Sequence, residues 1–567
     1  MNNKAELLNQ AISFHKSGDE NKALLVYQQI LKDGSSPAAA LNASAILRKA
    51  GSLDNAKKIL VTQLLITPQE SGLWHNLARV EIDIGDFPSS LRSCLKSISL
   101  SQTDLNVWLC FISVLCHFEL YSLALSQIRY VDSLSLSRNH SDQIKLLTVA
   151  LDVLRRAIES GHPWQEYFDR LSKNLLNIGD SDKYSLSDRS SIFSYVIEQS
   201  MHAKDISRAQ NIFSKLEDLI VSCRDPEQID DLRSGSKQYH NAGWNLGIYL
   251  IKHCMFEEGW KLYDHGLRVP AAGPQRWQRA LRKPFNSKDL PLWDGSDLTD
   301  KSILVISEQA VGDSIMFFRS LPFLFKEAKE VTLLVNPRLK PLYQNSVNCK
   351  IYSDSKELPD SKHFDFQVPV GSLLQYRIPW IKSIRDKGLN LVPNQDIANR
   401  LKAKIKRKEK YLVGLSWSGG VLPKRKRVKS VDFTAFADFL NLPNCDFVSL
   451  QYGNVRSIIE ESNEVNPYIN YLEEVNPLKD METWLSLVSL CDFVITVANT
   501  TVHGASSLGI PTFTLVPHAS DWRWLDPEVS TESYWYNSVH PFHQPPTKDW
   551  SEPISRLKTS IKTYLSS

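Results

Sequence analysis

An apolar run, Ser302-Ile303-Leu304-Val305-Ile306-Ser307, leads into Glu308-Gln309-Ala310-Val311-Gly312-Asp313-Ser314 and then into a helical pattern of Ile315, Met316, Phe317, Phe318 and Leu321. A buried strand that ends in a small-residue turn and opens a helix puts Asp313 at the carboxyl edge of a parallel sheet. Open α/β folds hold their ligands at that edge. A carboxylate there can take the proton of an incoming hydroxyl, provided it faces the opposing corner and is not buried in an ion pair. A second corner has the same build. The apolar run 492–498 turns through Asn499-Thr500-Thr501-Val502-His503-Gly504. Backbone N–H groups at a helix start, with the hydroxyls of Thr500 and Thr501 and with His503 facing in, suit a diphosphate. Alone, this corner reads as a capped core helix with a buried histidine; opposite the Asp313 turn, it reads as a diphosphate cradle.

A third element is Val413-Gly414-Leu415-Ser416-Trp417-Ser418-Gly419-Gly420, followed by Lys424-Arg425-Lys426-Arg427-Val428-Lys429. Ser418, Gly419 and Gly420 bring backbone close to a ligand, and a cation beyond them can neutralise a leaving diphosphate. Most charges in such a run are solvated, and its composition also fits a nuclear-import signal. Lys429 or Arg427 is expected to act, not the whole run. Gln451 and Tyr452, after the run 446–451, are candidates for contact with a nucleobase or ribose. Asp521-Trp522-Arg523-Trp524 either shapes the cleft or is core. His540 and His543 have no plausible metal set, and no Asp-x-Asp pair ends a strand, so no metal site and no cofactor are expected.

These corners need a scaffold. From Lys301 onward short apolar runs alternate with helical stretches, which predicts parallel strands at 303–307, 331–335, 350–353 and 364–368. After the charged break 402–410 come strands at 412–417, 446–451, 492–497 and 512–516. Strands alternating with helices imply parallel sheets covered on both faces, here in two lobes with a cleft between them. The expected divisions are a first lobe at 291–400 with the Asp313 corner, a second lobe at 401–550 with the diphosphate corner, and a helix at 551–567. That helix is expected to pack back across the first lobe.

The front of the chain repeats. Turn positions Gly18, Gly51, Gly85 and Glu119 follow one another at intervals of 33, 34 and 34 residues. Five residues after each stands a small residue (Ala23, Ala56, Ser90, Ala124), and four further on Tyr27, Leu60, Cys94 and Ile128. Trp74 and Trp108 each precede their turn by eleven residues. This is the period of the helix–turn–helix tetratricopeptide repeat, whose units stack because none buries its apolar face alone. The array is placed at 1–135. Its concave groove is expected to bind a protein or peptide, with a spacer or dimer contact as the alternative. Residues 136–290 read as a helical region with a degenerate repeat-like pair at 241–267 and a Pro- and Arg-rich linker at 268–297. The fold class is thus α + α/β, a helical repeat solenoid followed by a two-lobed Rossmann-like domain.

Composition fits this reading. The chain has 567 residues, too many for one core, with 42% hydrophobic and 23% charged residues. A net charge of +3 implies no general affinity for nucleic acid or membrane. Eight scattered cysteines without C-x-x-C, no signal-like start and no long apolar run predict a reduced, soluble cytoplasmic protein.

The chain resembles bacterial tetratricopeptide-repeat proteins whose C-terminal region is a heptosyltransferase-like, two-lobed GT-B transferase of the glycosyltransferase family 9 type. The residues that carry the likeness are Glu257 to Trp260, Leu290 to Gly295, Glu308 to Asp313, Gly414 to Gly420, Val448 to Gly453, Asn499 to His503 and Asp521 to Trp524. The resemblance implies a metal-independent, inverting glycosyltransferase that uses a nucleotide-sugar donor, with Asp313 as base in the acceptor-side lobe at 291–400 and the Asn499 to His503 segment as donor-phosphate loop in the nucleotide-sugar lobe at 401–550. Its acceptor would be a protein held by the repeats, flagellin among the candidates. The alternatives are a glycan or lipopolysaccharide acceptor, or an inactive protein-binding scaffold. Ala310 and Val311 depart mildly from the family pattern. Asn499 stands where heptose-transferring relatives carry aspartate, which leaves the sugar open.

Overall fold

The computed structural model describes residues 2–134, 139–222, 229–268, 284–285, 288–420, 423–453, 455–465 and 469–566. The expected linker at 268–297 lies largely outside them. The chain divides into two compact units, one of residues 1–242 with 272–274 and one of residues 243–271 with 275–567.

In the first unit the helices pair off as the spacing requires: α1 (Asn2–Lys16) with α2 (Glu20–Lys32), α3 (Pro37–Lys49) with α4 (Leu53–Ile66), α5 (Ser71–Ile84) with α6 (Phe87–Leu100), and α7 (Leu105–His117) with α8 (Tyr121–Ser133). All four turn residues have positive φ, +84° at Gly18, +79° at Gly51, +93° at Gly85 and +58° at Glu119. Glycine adopts this conformation without strain, whereas Glu119 pays a steric cost for it. Ala23, Ala56, Ser90 and Ala124 are wholly buried, where their small side chains let the paired helices approach. The two tryptophans make the same local bond, Trp74 Nε1 to Pro68 O at 2.8 Å and Trp108 Nε1 to Gln102 O at 3.0 Å.

The pairing continues beyond the regular period. α9 (His140–Glu159) packs on α10 (Gln165–Gly179), and α11 (Leu186–His202) on α12 (Ile206–Ser222). Their turns sit at Gly161 (φ +90°) and Lys204 (φ +57°). Successive helices touch along the chain, and the first helices of neighbouring pairs touch as well, α3 with α5, α5 with α7 and α7 with α9. Contacts are thus almost all between neighbours, the signature of a one-dimensional stack.

The boundary between the units falls within α13 (Ile229–Lys252), so residues 243–271 go with the α/β part rather than with the helical region at 136–290. The second unit carries two all-parallel sheets. The first holds β1 (Ser302–Ile306), β2 (Glu330–Leu334), β3 (Lys350–Tyr352) and β4 (Phe366–Pro369) in the order β3-β2-β1-β4. The second holds β5 (Tyr411–Ser416), β6 (Cys445–Ser449), β7 (Ile469–Asn470), β8 (Phe493–Val497), β9 (Thr512–Val516) and β10 (Val539–His543) in the order β10-β9-β8-β5-β6-β7. Two of these strands have no counterpart in the pattern. β7 has only two residues, and β10 contains Pro541, which an edge strand tolerates because no partner needs its missing N–H.

The C-terminal helix (Ser551–Ser566) does not cross the first sheet as expected. Its buried Ile554, Leu557 and Ile561 share a core with Val413, Leu415, Phe493 and Phe513 of the second sheet. The helix follows β10 directly, and that sheet offers the nearest uncovered apolar face.

Candidate active site where two strand-to-helix corners meet

Both corners lie at topological switch points. In the first sheet the chain runs outward from β1 to β2 and β3, then returns to add β4 on the other side. In the second it runs from β5 to β6 and β7, then returns to β8 beside β5. Ligands of open parallel sheets bind beyond the strand ends where the order reverses. Asp313 follows β1, Ser418 to Gly420 follow β5, and Asn499 follows β8.

The first corner is tightly determined. Gln309 adopts φ +59°, costly for a non-glycine residue. Its side chain is fixed at both ends: Nε2 donates to Tyr263 Oη at 2.8 Å, and Oε1 accepts from Arg523 Nη2 at 2.9 Å. Glu308 Oε1 accepts from the Gly371 amide, just past β4, at 2.8 Å. Behind the short helix Val311–Phe317, Phe317 packs against Trp260, Tyr263, Trp522 and Trp535. The helix α14 (Phe256–Tyr263), which carries Trp260 and Tyr263, thus supports the corner from within the same unit.

Asp313 is 6% exposed. Its Oδ2 accepts from the Ala310 amide at 3.0 Å, and its Oδ1 accepts from Arg523 Nε. The free, cleft-facing carboxylate expected from the sequence is therefore corrected: Asp313 is buried in an ion pair. It does stand at the meeting of the corners. A Cβ at Gly312 would lie 3.1 Å from His503 Cδ2 and 3.3 Å from Thr500 Oγ1, so a side chain here would need these neighbours to give by a few tenths of an ångström.

The second corner is tied together from inside. Asn499 caps the helix Thr500–Ser507, its Oδ1 accepting from the Thr501 amide at 2.8 Å. Its Nδ2 donates to Ser416 Oγ at 2.8 Å and to Ser418 O at 3.0 Å, joining the ends of β8 and β5. Gln451 does the same between β6 and β5. Its Oε1 accepts from Ser416 Oγ, Trp417 N and Ser418 N, and its Nε2 donates to the carbonyls of Ser418 and Tyr452. Both were expected to face a donor; their polar atoms are instead spent on the framework, and the Thr501 amide is already capped. Tyr452 Oη reaches Gly420 O at 3.5 Å. Gly420 has φ +88°, and Ser418 Oγ lies 2.9 Å from Ser430 Oγ. A Cβ at Gly419 would come within 3.2 Å of Asn499 Cβ.

Of the two cations left open by the sequence, Arg427 is exposed and Lys429 is mostly buried. Lys429 Nζ binds Asp521 Oδ2 at 2.8 Å, and Arg523 Nη1 lies 3.4 Å from Asp521 Oδ1. The result is an alternating chain of four charges, Lys429, Asp521, Arg523 and Asp313, of which Asp313 is buried and the other three keep 16–24% of their side-chain surface exposed. Burial alone would raise the Asp521 carboxyl, but Lys429 and Arg523 outweigh it and hold it far below the usual range. Burial disfavours the charged Arg523, yet Asp313 and Asp521 hold its proton more tightly than usual. The Asp-Trp-Arg-Trp segment was read only as cleft wall or core. Its alternation was the usable signal: Trp522 and Trp524 are buried, while Asp521 and Arg523, alternating with them, reach Lys429 and Asp313.

His503 does not present a cation to this place. Its Nδ1 lies 3.1 Å from Tyr536 Oη. Burial pushes the imidazole down to about 4, with smaller opposing effects from Asp313 and Asp521 on one side and Arg523 and Lys429 on the other. The unfolded imidazole binds a proton below about 6.5, whereas the folded one resists until about 4, so stability falls as pH drops through that window. At pH 5 the contribution of His503 alone is about 2 kcal/mol of destabilisation relative to pH 8. Urea unfolding at pH 8 and pH 5 should show His503→Gln losing less stability than the parent by about that amount. Equal losses in the two chains would contradict the buried neutral imidazole.

No family model matches the chain. Protein FlbA of Caulobacter vibrioides is 24% identical over 540 residues, covering 90% of this chain and 87% of that protein. Among solved structures, a glycosyl transferase family 9 protein from Veillonella parvula covers 47% of this chain and 96% of its own, at 12% identity and a TM-score of 0.34. MamA from Desulfovibrio magneticus covers 24% of this chain and 77% of its own, at 16% identity and a TM-score of 0.23. Among the described residues no group of three or more His, Cys, Asp or Glu is arranged to hold a metal ion, and no helix is long and apolar enough to cross a membrane.

Proposed function

We propose that the chain is an inverting glycosyltransferase that moves a sugar from a nucleotide-sugar donor to an acceptor hydroxyl, on a protein docked by the repeat array. Flagellin is one candidate for that acceptor. The carrying observation is the convergence of largely buried Lys429 and Arg523 with Asp313 where two switch-point corners meet.

The two sheets then serve as the lobes of a GT-B arrangement. The nucleotide lies at the β5–β8 end, with the diphosphate against Thr500, Thr501 and Lys429. The acceptor oxygen attacks the anomeric carbon from the face opposite the diphosphate while Asp313 takes its proton. The carbon–oxygen bond to the diphosphate breaks as the new one forms, so the anomeric configuration inverts without a covalent intermediate. Negative charge gathering on the leaving diphosphate is neutralised by Lys429 and the corner amides, fixed in place before reaction.

A second reading is an inactive scaffold, favoured by Asp313 having both oxygens engaged. Calorimetric titration of the full chain with a panel of nucleoside diphosphates separates the two. A transferase should bind at least one with a dissociation constant on the order of micromolar to millimolar, and a scaffold none. Within the transferase class, a glycan or lipopolysaccharide acceptor is the alternative. Mass spectrometry of cellular proteins with and without this chain distinguishes them, because a lost protein glycan identifies acceptor and sugar together.

A further inference from the structure

We infer, resting on the donor reading above, that Arg523 is a shared cation whose transfer from Asp313 to the diphosphate of a bound donor is what frees the base. In this structure both oxygens of Asp313 are engaged, one by the Ala310 amide and the other by Arg523. An acceptor hydroxyl must therefore share an oxygen with a donor already in place, and the guanidinium stands against Oδ1. The amide bond belongs to the corner itself, but the Arg523 bond need not persist.

Arg523 is built to change partners. Its guanidinium lies over the Trp522 ring at 4.8 Å, which fixes its plane. Nη2 is anchored on Gln309 at 2.9 Å, and Nη1 lies 3.4 Å from Asp521, too long for a good hydrogen bond. Its planar fork matches a phosphate as well as it matches a carboxylate. The four-charge chain is neutral as a whole. Asp521 is shared by Lys429 and Arg523, and among the described residues Asp313 has its one ion pair with Arg523. A diphosphate brings more negative charge to the two cations than Asp313 offers, so Asp313 is the partner that yields. Its Oδ1 then becomes the acceptor that the reaction needs. The consequence is an order of events: the acceptor meets a competent base only after the donor is bound.

The exchange is tested with inorganic pyrophosphate as probe, by calorimetry on the full-length chain at fixed salt. If Asp313 and the anion compete for Arg523, Asp313→Asn binds pyrophosphate more tightly than the parent, by about fivefold or more. Arg523→Gln weakens binding by about tenfold or more. Removing a negative charge can tighten anion binding without any exchange, so the double variant decides: in the Arg523→Gln background, Asp313→Asn should bring no tightening. Unchanged or weaker binding in Asp313→Asn overturns the inference, and so does tightening that persists in full without Arg523. If Arg523→Gln does not fold, Arg523→Met serves in its place, since it also removes both the charge and the fork. A parent chain that binds a nucleoside diphosphate but shows no tightening in Asp313→Asn refutes the exchange alone. A parent that binds neither pyrophosphate nor any nucleoside diphosphate refutes the exchange and the donor reading together.

Discussion

Turnover of an Asp313→Ala chain with its own donor and acceptor is expected to fall on the order of a hundredfold to ten-thousandfold, the usual worth of a positioned general base. The loss should appear in kcat at saturating donor, because Asp313 acts on the acceptor proton and its absence leaves the diphosphate contacts in place. Stability is a competing explanation. Removing one partner of a buried ion pair costs about 3–5 kcal/mol when the other charge is stranded. Here Arg523 keeps Asp521 nearby and Gln309 as an anchor, so the cost should lie below that range. A thermal melt of the variant separates the two effects, since a folded chain with lost turnover implicates chemistry. Asp313→Asn sharpens the comparison, because the amide can keep the bond from Ala310 but cannot take a proton. Near-normal turnover in either folded variant would remove Asp313 from the reaction.

What the sequence disclosed was local, and what it withheld depended on partners. Gly18, Gly51, Gly85 and Glu119 could be aligned because the residues five and nine positions on repeat with them, and all four adopt the same left-handed turn. The same register continues at Lys204, with Ala209 and Phe213 buried at those offsets, and at Cys254, with Gly259 and Tyr263. The Cys254 turn lies in the degenerate pair expected at 241–267, whereas the one at Lys204 was hidden because lysine is not a turn residue by type and the helices on either side of it are longer. Strand positions were legible from apolar runs. Strand order was not, since it is set by pairing between distant segments, and so the coincidence of both corners with switch points emerged only from the fold. The site residues show the same limit. Asn499, Gln451 and His503 carry groups that could serve a ligand, yet each has found a partner inside the protein. Asp521 and Arg523, alternating with two tryptophans, looked like core and instead deliver two of the largely buried charges.

Asn499→Asp is expected to destabilise the second unit by about 2–3 kcal/mol, even though aspartate is as good a helix cap. Two effects oppose each other. A carboxylate at the start of the helix Thr500–Ser507 gains about 0.3–1 kcal/mol from the helix dipole and keeps the bond from the Thr501 amide. Against this, the group that now donates to Ser418 O at 3.0 Å becomes an acceptor facing an acceptor. The Ser416 hydroxyl at 2.8 Å offers no rescue, because its proton already goes to Gln451 Oε1. One lost hydrogen bond and one carbonyl left against a negative charge outweigh the dipole. Urea unfolding of the parent and the variant at pH 7 measures the difference. Loss of stability without loss of nucleoside diphosphate affinity would mean that the amide at 499 holds β5 and β8 together and that the donor site tolerates either charge. A variant as stable as the parent would mean that the strand ends are not joined through Asn499, and the position would return to the donor-facing role expected from its type.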